Sequence, residues 1–337
     1  MNKIIRTICL FSNQAGFEEI QRLEEISHLL SERQFVIQTK RICLSDYHDQ
    51  ADQAALTESG ILLGAGSLSF TEFQKVFDDF LSSDNKATNV DLTNEPITFD
   101  HVDTLFEIIR NKPDNTFRFT YGFNLPDSSP YFPSAKFGYK GFSIGLQSTD
   151  LSEGCSTLEE WFTRMETVWK EIDEILKNTE GYLGIDSSIA PLFEGKSSLV
   201  NFIKRLGMDF SRSATTDVYT KITEFIKKHN PRPIGLCGLM LPCLEDFELA
   251  DEYERGNFDI ERNIFLSLHS GLGIDTYPMG IDQNKDRIIE ILCLVQHLSN
   301  KYKKPLAVRF VSDGKAKIGE KTDFKNQYLK DVVVRKV

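Results

Sequence analysis

Along this chain the apolar positions change period repeatedly, switching between strand-like runs and the spacing of one helical face. Residues 3–10 (KIIRTICL) read as a strand. Phe17, Ile20, Leu23, Ile26 and Leu30 then recur at helical spacing with charges between them, and 35–44 reads as a second strand. A crossover of that length predicts a parallel pair. Residues 62–66 predict a short strand ending in a glycine turn. They lack the Gly-x-Gly-x-x-Gly fingerprint, so no nucleotide site is expected there.

Two amphipathic helices are predicted over 69–82 and 99–111, separated by a polar stretch at 83–97. An alternating aromatic strand follows at 116–124. Next comes a stretch, 126–141, with three prolines, two glycines and four aromatics, which predicts an ordered, packed loop. Residues 141–146 read as a strand. Residues 157–177 carry Leu158, Phe162, Met165, Trp169, Ile172 and Leu176 on one helical face, which predicts core packing. Beyond a strand at 182–186, helices are predicted at 197–206, 214–229, 258–268 and 284–300, with a strand at 305–311 and a candidate last strand at 331–337. The continuous apolar run 233–242 predicts a strand buried on both faces. Nine or ten strands alternating with helices, and no linker, predict a single α/β domain, closed or strongly wound.

Within that frame one phrase recurs. Leu183-Gly184-Ile185-Asp186 and Leu272-Gly273-Ile274-Asp275 each end a short apolar run, followed by a hydroxyl residue and soon a proline. Both read as buried strands that deliver an aspartate to a turn. Strand ends facing a shared mouth are where α/β proteins keep their ligand sites, so Asp186 and Asp275 are the first catalytic candidates.

Composition narrows the class. The 337 residues hold 39 Lys+Arg against 50 Asp+Glu, a net charge of -11, which argues against broad nucleic-acid or anionic-membrane binding. No run approaches a membrane span, and Arg6 interrupts the only stretch resembling a signal peptide core, so a cytoplasmic protein is expected. Six scattered cysteines without a Cys-x-x-Cys pair read as buried thiols.

Several stretches in order resemble a known family. They are IRTICL (5–10), QTKRICLS (38–45), SPYFPSAKF (129–137), GFSIGLQ (141–147), GIDSSIAP (184–191), SATTD (213–217), GLCGLMLPCLED (235–246), GLGIDTYP (271–278) and KPLAVRFVSDGKAKIGE (304–320). Together the chain resembles domain of unknown function 711, also called uncharacterised protein family 0210. The resemblance implies a barrel similar to that of pyruvate formate-lyase, about ten strands built as two half-barrels, here 1–150 and 151–337. It does not imply that superfamily's radical chemistry. The chain has no adjacent Cys-Cys pair, and Gly314 and Gly319 sit in a lysine-rich stretch without the radical motif. Ser213-Ala214 also stands where the family pattern has Pro-Gly.

The candidate chemistry is carried by few side chains. Paired carboxylates share a proton as acid and base or hold a divalent metal ion, and the alternative for Asp186 and Asp275 is capping of the next turn. Glu245 and Asp246 follow the 233–242 run and extend the candidate metal set, or else compensate a helix N-terminus. Arg309 lies mid-strand among Leu306, Val308, Phe310 and Val311, so it needs an anionic partner, a protein carboxylate or a ligand. Lys136 and Tyr139 are candidate ligand contacts in the aromatic loop; Thr215 and Thr216 are candidates at a helix start. His269 reads as a surface or satisfied residue, and histidines 28, 48, 101, 229 and 297 show no metal-ligand spacing. The expected function is a non-radical enzyme acting on a small anionic metabolite by acid–base or metal-assisted chemistry. The alternatives are a small-molecule-binding or regulatory protein without turnover, and a scaffold with a filled barrel. A homodimer is the expected assembly.

Overall fold

The alternation of strand and helix is realised as a mixed α/β fold on one ten-stranded sheet. A computed structural model describes residues 3–47, 50–51 and 53–337; His48 lies outside the described residues. The strands are β1 (Lys3–Ser12), β2 (Phe35–Ile37), β3 (Lys40–Leu44), β4 (Leu62–Leu68) and β5 (Lys86–Asp91), then β6 (Phe119–Phe123), β7 (Gly141–Leu146), β8 (Tyr182–Asp186), β9 (Gly273–Pro278) and β10 (Leu306–Val311). Their order is β8-β7-β1-β3-β4-β5-β6-β10-β9, with β2 also paired to β1.

Direction divides the sheet in two. β1, β3, β4, β5 and β6 are mutually parallel. β7 and β10 run antiparallel to β1 and β6, and each has a parallel neighbour, β8 and β9. The reversal therefore falls between β6 and β7, in the aromatic loop.

The main helices are α1 (Phe17–Ser31), α2 (Phe99–Asn111), α3 (Leu158–Leu176), α4 (Leu199–Arg205), α5 (Val218–His229), α6 (Phe247–Glu254), α7 (Ile260–His269) and α8 (Lys285–Tyr302). α3 shows why they form. Thr157 and Glu160 make a capping box at its start, and Trp161, Met165, Val168, Trp169, Ile172 and Leu176 are buried along one stripe. Each buried indole contributes on the order of 4 kcal/mol by area removed from water. Among the described residues no helix is long and apolar enough to cross a membrane.

The strand read over 35–44 is two strands, β2 and β3, and the structure departs from the sequence reading at four further places. First, 233–242 is not a regular strand. Pro233 and Pro242 donate no ladder hydrogen bond, and Gly235 (φ 75°) and Cys237 (φ 43°) turn the backbone out of extended geometry. The segment instead makes isolated parallel bridges on both sides, Ile185 with Pro233 and Ile189 with Leu239, then Leu239 with Gly271 and Pro242 with Asp275. Second, the polar stretch 83–97 contains β5. Its Thr88 and Asn89 are buried and engaged, which no apolar pattern announces. Third, 69–82 is two short helices, Phe70–Lys75 and Phe77–Ser82, broken at Val76. Fourth, 331–337 forms no strand; a lone bridge joins Lys321 to Val333.

The 126–141 loop is drawn onto the sheet. Asn89 Nδ2 of β5 donates to the Pro133 and Ala135 carbonyls at 2.9 Å each, and Arg41 Nη1 of β3 to Pro130 O. Ser143 Oγ of β7 donates to Ser128 O, and Ser129 Oγ of the loop donates to Asp186 Oδ2 of β8. The Phe132 ring lies directly over Gly64, where a Cβ would come within 2.6 Å of it. Only glycine leaves β4 flat enough for that ring.

Candidate functional site

A cavity of about 150 Å³ opens where this loop, the 233–243 segment and β1, β3, β9 and β10 meet. Its walls are largely apolar, with Tyr131, Phe132, Met240 and Leu272 among them, but six charged side chains enter it. They are Arg6, Arg41, Arg118, Arg309, Glu245 and Asp275.

Two of these side chains stand at breaks in the ladder. The β1–β7 register shifts between Ile5 and Thr7, at Arg6; the β9–β10 register shifts between Ile274 and Tyr277, across Asp275 and Thr276. Thr276 has φ 39°, outside extended geometry. A bulge inserts an unpaired residue and re-aims side chains locally, and bulges cluster beside active sites.

Arg309 organises the centre. Its Nε donates to Asp275 Oδ1 at 2.6 Å, Nη2 to Glu245 Oε1 at 2.5 Å, and Nη1 to the Phe117 carbonyl at 3.2 Å. Burial works against its charge, but Asp275 and Glu245 outweigh burial and hold its pKa above the ordinary value. Burial pushes the Glu245 carboxyl up, with Arg309 and Arg6 opposing. Glu245 is shared, because its Oε2 also meets Arg6 Nη2 at 3.4 Å. Arg309 Nη2 lies 2.6 Å from the same Asp275 Oδ1, so Asp275 Oδ2 keeps no protein partner among the described residues.

The remaining two arginines differ. Arg118 donates to the Ser83 and Asp84 carbonyls and to Asn115 Oδ1. Arg41 has one weak bond, Nη1 to Pro130 O at 3.3 Å, and its guanidinium lies 5.0 Å from the Phe132 ring centre. Burial pushes its pKa down to about 10, and neighbouring Arg6 adds to the shift.

The expected site residues are thus divided. Glu245, Asp275 and Arg309 come together at the cavity. Asp186 does not line it and does not face Asp275 as a pair: it is fully buried, accepting from Ser129 Oγ, Ser188 N and Oγ, Leu236 N and Cys237 N at 2.6–3.0 Å. Burial pushes its carboxyl up, against these donors. Asp246 caps α6, accepting from Glu248 N and Leu249 N, and also takes Leu199 N. The four acids expected as a metal set are therefore not one ligand sphere. Among the described residues no group of three or more His, Cys, Asp or Glu is placed to hold a metal ion.

Lys136 and Tyr139 lie outside the cavity. Lys136 pairs with Asp127 and Tyr139 is 67% exposed, because the loop turns Tyr131, Phe132 and Pro133 inward instead. Thr215 and Thr216 also stay outside: their hydroxyls donate to Arg212 O and Ser213 O and close the preceding turn. The sequence reading passes over Arg6 and Arg41; Arg6 is a charge set in an apolar strand, the signal that singles out Arg309, whereas Arg41 follows Lys40 at the polar start of its strand.

Among curated proteins, none matches this chain. The sequence profile of the family described as Uncharacterised ACR (DUF711) matches residues 77–326. That span covers most of the chain, including the aromatic loop, the 233–243 segment and the strands that carry Asp275 and Arg309. The protein belongs to the DUF711 family.

Proposed function

We propose that the cavity binds a small anionic metabolite and that Asp275 acts on it as an acid–base group. The observation that carries this reading is the charge of the lining: four guanidinium groups against two carboxylates, in a chain whose net charge is -11. Cationic excess concentrated in an apolar, enclosed site is costly without a counter-ion and favours an anionic ligand. Asp275 Oδ1 is fixed by Arg309, while Oδ2 is left to take or return a proton. Arg309 stays charged throughout and stabilises negative charge developing beside it. The acids are not arranged as a metal sphere, so no step is routed through a metal.

The same reading includes the architecture. The two parallel groups of strands close into a barrel as a single domain, with 233–243 as the closing segment. What supports closure is hydrogen bonding of that segment to both edges: Ile234 N to Ile185 O and Met240 N to Ile189 O on one side, Leu272 N to Leu239 O and Cys243 N to Asp275 O on the other. The cavity meets β9 at its first half, through Gly273, Ile274 and Asp275, β10 through Ala307 and Arg309, and the closing segment at its carboxyl end, through Met240, Leu241 and Pro242.

A panel of small carboxylates and phosphate monoesters tests this by thermal shift, followed by mass spectrometry for conversion. Anions raise the melting temperature of the protein and of Asp275→Asn alike, and only the unsubstituted protein converts the bound one. Binding without conversion by either would favour a binding protein without turnover, a reading suggested by Arg309 already engaging both acids. No shift with any anion would overturn the proposal.

A further inference from the structure

We infer that an oxyanion of the ligand, carboxylate or phosphate, is held between Arg6 and Arg41, while the remainder faces Asp275. The inference rests on the anionic-ligand reading and adds which residues anchor the charge and which way the ligand points. Arg6 and Arg41 project from β1 and β3, which pair side by side, and they are only 9% and 8% exposed. Two guanidinium groups this deeply buried, with Arg6 close enough to depress the ionisation of Arg41, need anionic partners. The partners present fall short. The charged groups facing Arg41 are Arg6 and Glu245, and Glu245 is already shared by Arg309 and Arg6. Among the described residues the Arg6 side chain makes only long bonds, 3.4 Å to Gln38 Oε1 and 3.4 Å to Glu245 Oε2.

Among the described residues Arg41 uses one of its five N–H donors, on Pro130 O, and its buried Nε has no partner. Arg309, by contrast, places each of its three guanidinium nitrogens on an oxygen. Arg41 has its flat face supported by Phe132 and its donor edge unspent, which suits planar, bidentate capture of an oxyanion. Glu245 stands between this anchor and the Asp275–Arg309 pair, touching Arg6 with one oxygen and Arg309 with the other. A compact ligand anchored at Arg6 and Arg41 therefore presents its far end to Asp275.

Calorimetric titration of the full chain with inorganic phosphate, malonate and acetate, at fixed ionic strength, tests the anchor. The expected result is binding of phosphate or malonate that falls at least tenfold in Arg41→Gln and in Arg6→Gln but persists in Asp275→Asn. Arg41→Lys, which keeps the charge and loses the fork, falls in between. Preference for phosphate over malonate identifies a phosphate ester as the natural group, and the reverse identifies a carboxylate. Melting of the anion-free variants separates an anchor from a structural residue. Removing an unpaired buried charge leaves Arg41→Gln at least as stable as the parent, whereas a structural arginine lowers its melting point. Undiminished binding in both glutamine variants, or a marked fall in anion-free stability, overturns the anchor and leaves the anionic-ligand reading standing. Failure of the parent protein to bind any of the three probes removes both.

Discussion

Arg6 and Asp275 stand on opposite sides of Glu245, and each lies where the ladder of its strand slips by a residue, at Ile5/Thr7 in one case and Ile274/Tyr277 in the other. The slips place a cation and an acid in one cavity on strands that are not neighbours in the sheet. They also mark the two ends of the charged chain Arg6–Glu245–Arg309–Asp275.

Arg309→Met tests the middle of that chain. The substitution leaves buried Glu245 and half-buried Asp275 close together without their shared cation. Breaking a buried ion pair from one side typically costs about 3–5 kcal/mol. Urea unfolding should show a loss of that order, partly recovered by adding Glu245→Gln, which removes the stranded charge.

Asp186→Asn separates a structural acid from a catalytic one. Asparagine replaces one acceptor oxygen with an NH₂ group, which faces the N–H of Leu236 in the place of Oδ2 or those of Cys237 and Ser188 in the place of Oδ1. The loss is expected at about 3 kcal/mol, since hydrogen bonds to charged groups are worth roughly 1.5–3 kcal/mol each. Chemical denaturation measures it. Anion affinity of the folded protein should stay within a few fold of the parent.

Asp246 gives a pH signature. Burial raises its carboxyl to about 7, above the unfolded value of about 4. The folded state therefore binds the proton more tightly. The stability this contributes is fully present below about pH 4 and is lost as pH rises to 7. Stability measured by urea unfolding across that window should fall with rising pH in the parent relative to Asp246→Asn, which keeps the cap but cannot titrate.

Gly64→Ala should disturb the cavity from outside its charged ring. The added methyl meets the Phe132 ring at 2.6 Å, so the ring must move off β4 and away from Arg41. Overpacking of this kind costs about 1–3 kcal/mol. Calorimetry should show weaker anion binding than in the parent, with the fold retained.

Much of the architecture was legible because period survives in the chain: α3 carries its buried stripe at 3.6-residue spacing, and β10 is a short apolar run. β5 was not, because Thr88 and Asn89 are buried polar residues whose partners come from residues 66, 133 and 135. The two Gly-Ile-Asp phrases look alike, but what distinguishes them lies elsewhere in the chain. Asp186 meets the turned-in backbone N–H groups of Leu236 and Cys237, and Asp275 meets Arg309. Arg309 is legible because a charge in an apolar strand demands a partner, and Arg6 in β1 carries the same signal; Arg41, beside Lys40 at a strand start, and Arg118, just before β6, do not. In the aromatic loop no period exists, so nothing in the sequence separated inward Tyr131 and Phe132 from outward Lys136 and Tyr139.

Crystals of the full chain soaked in selenate, an anomalous scatterer that mimics phosphate, examine the anionic cavity most directly. An anomalous peak inside the cavity, within hydrogen-bond reach of the Arg6 and Arg41 guanidinium groups and absent in Arg41→Gln, is the expected result. Selenate bound only to surface lysines, with the cavity empty in the parent protein, would contradict the anionic site.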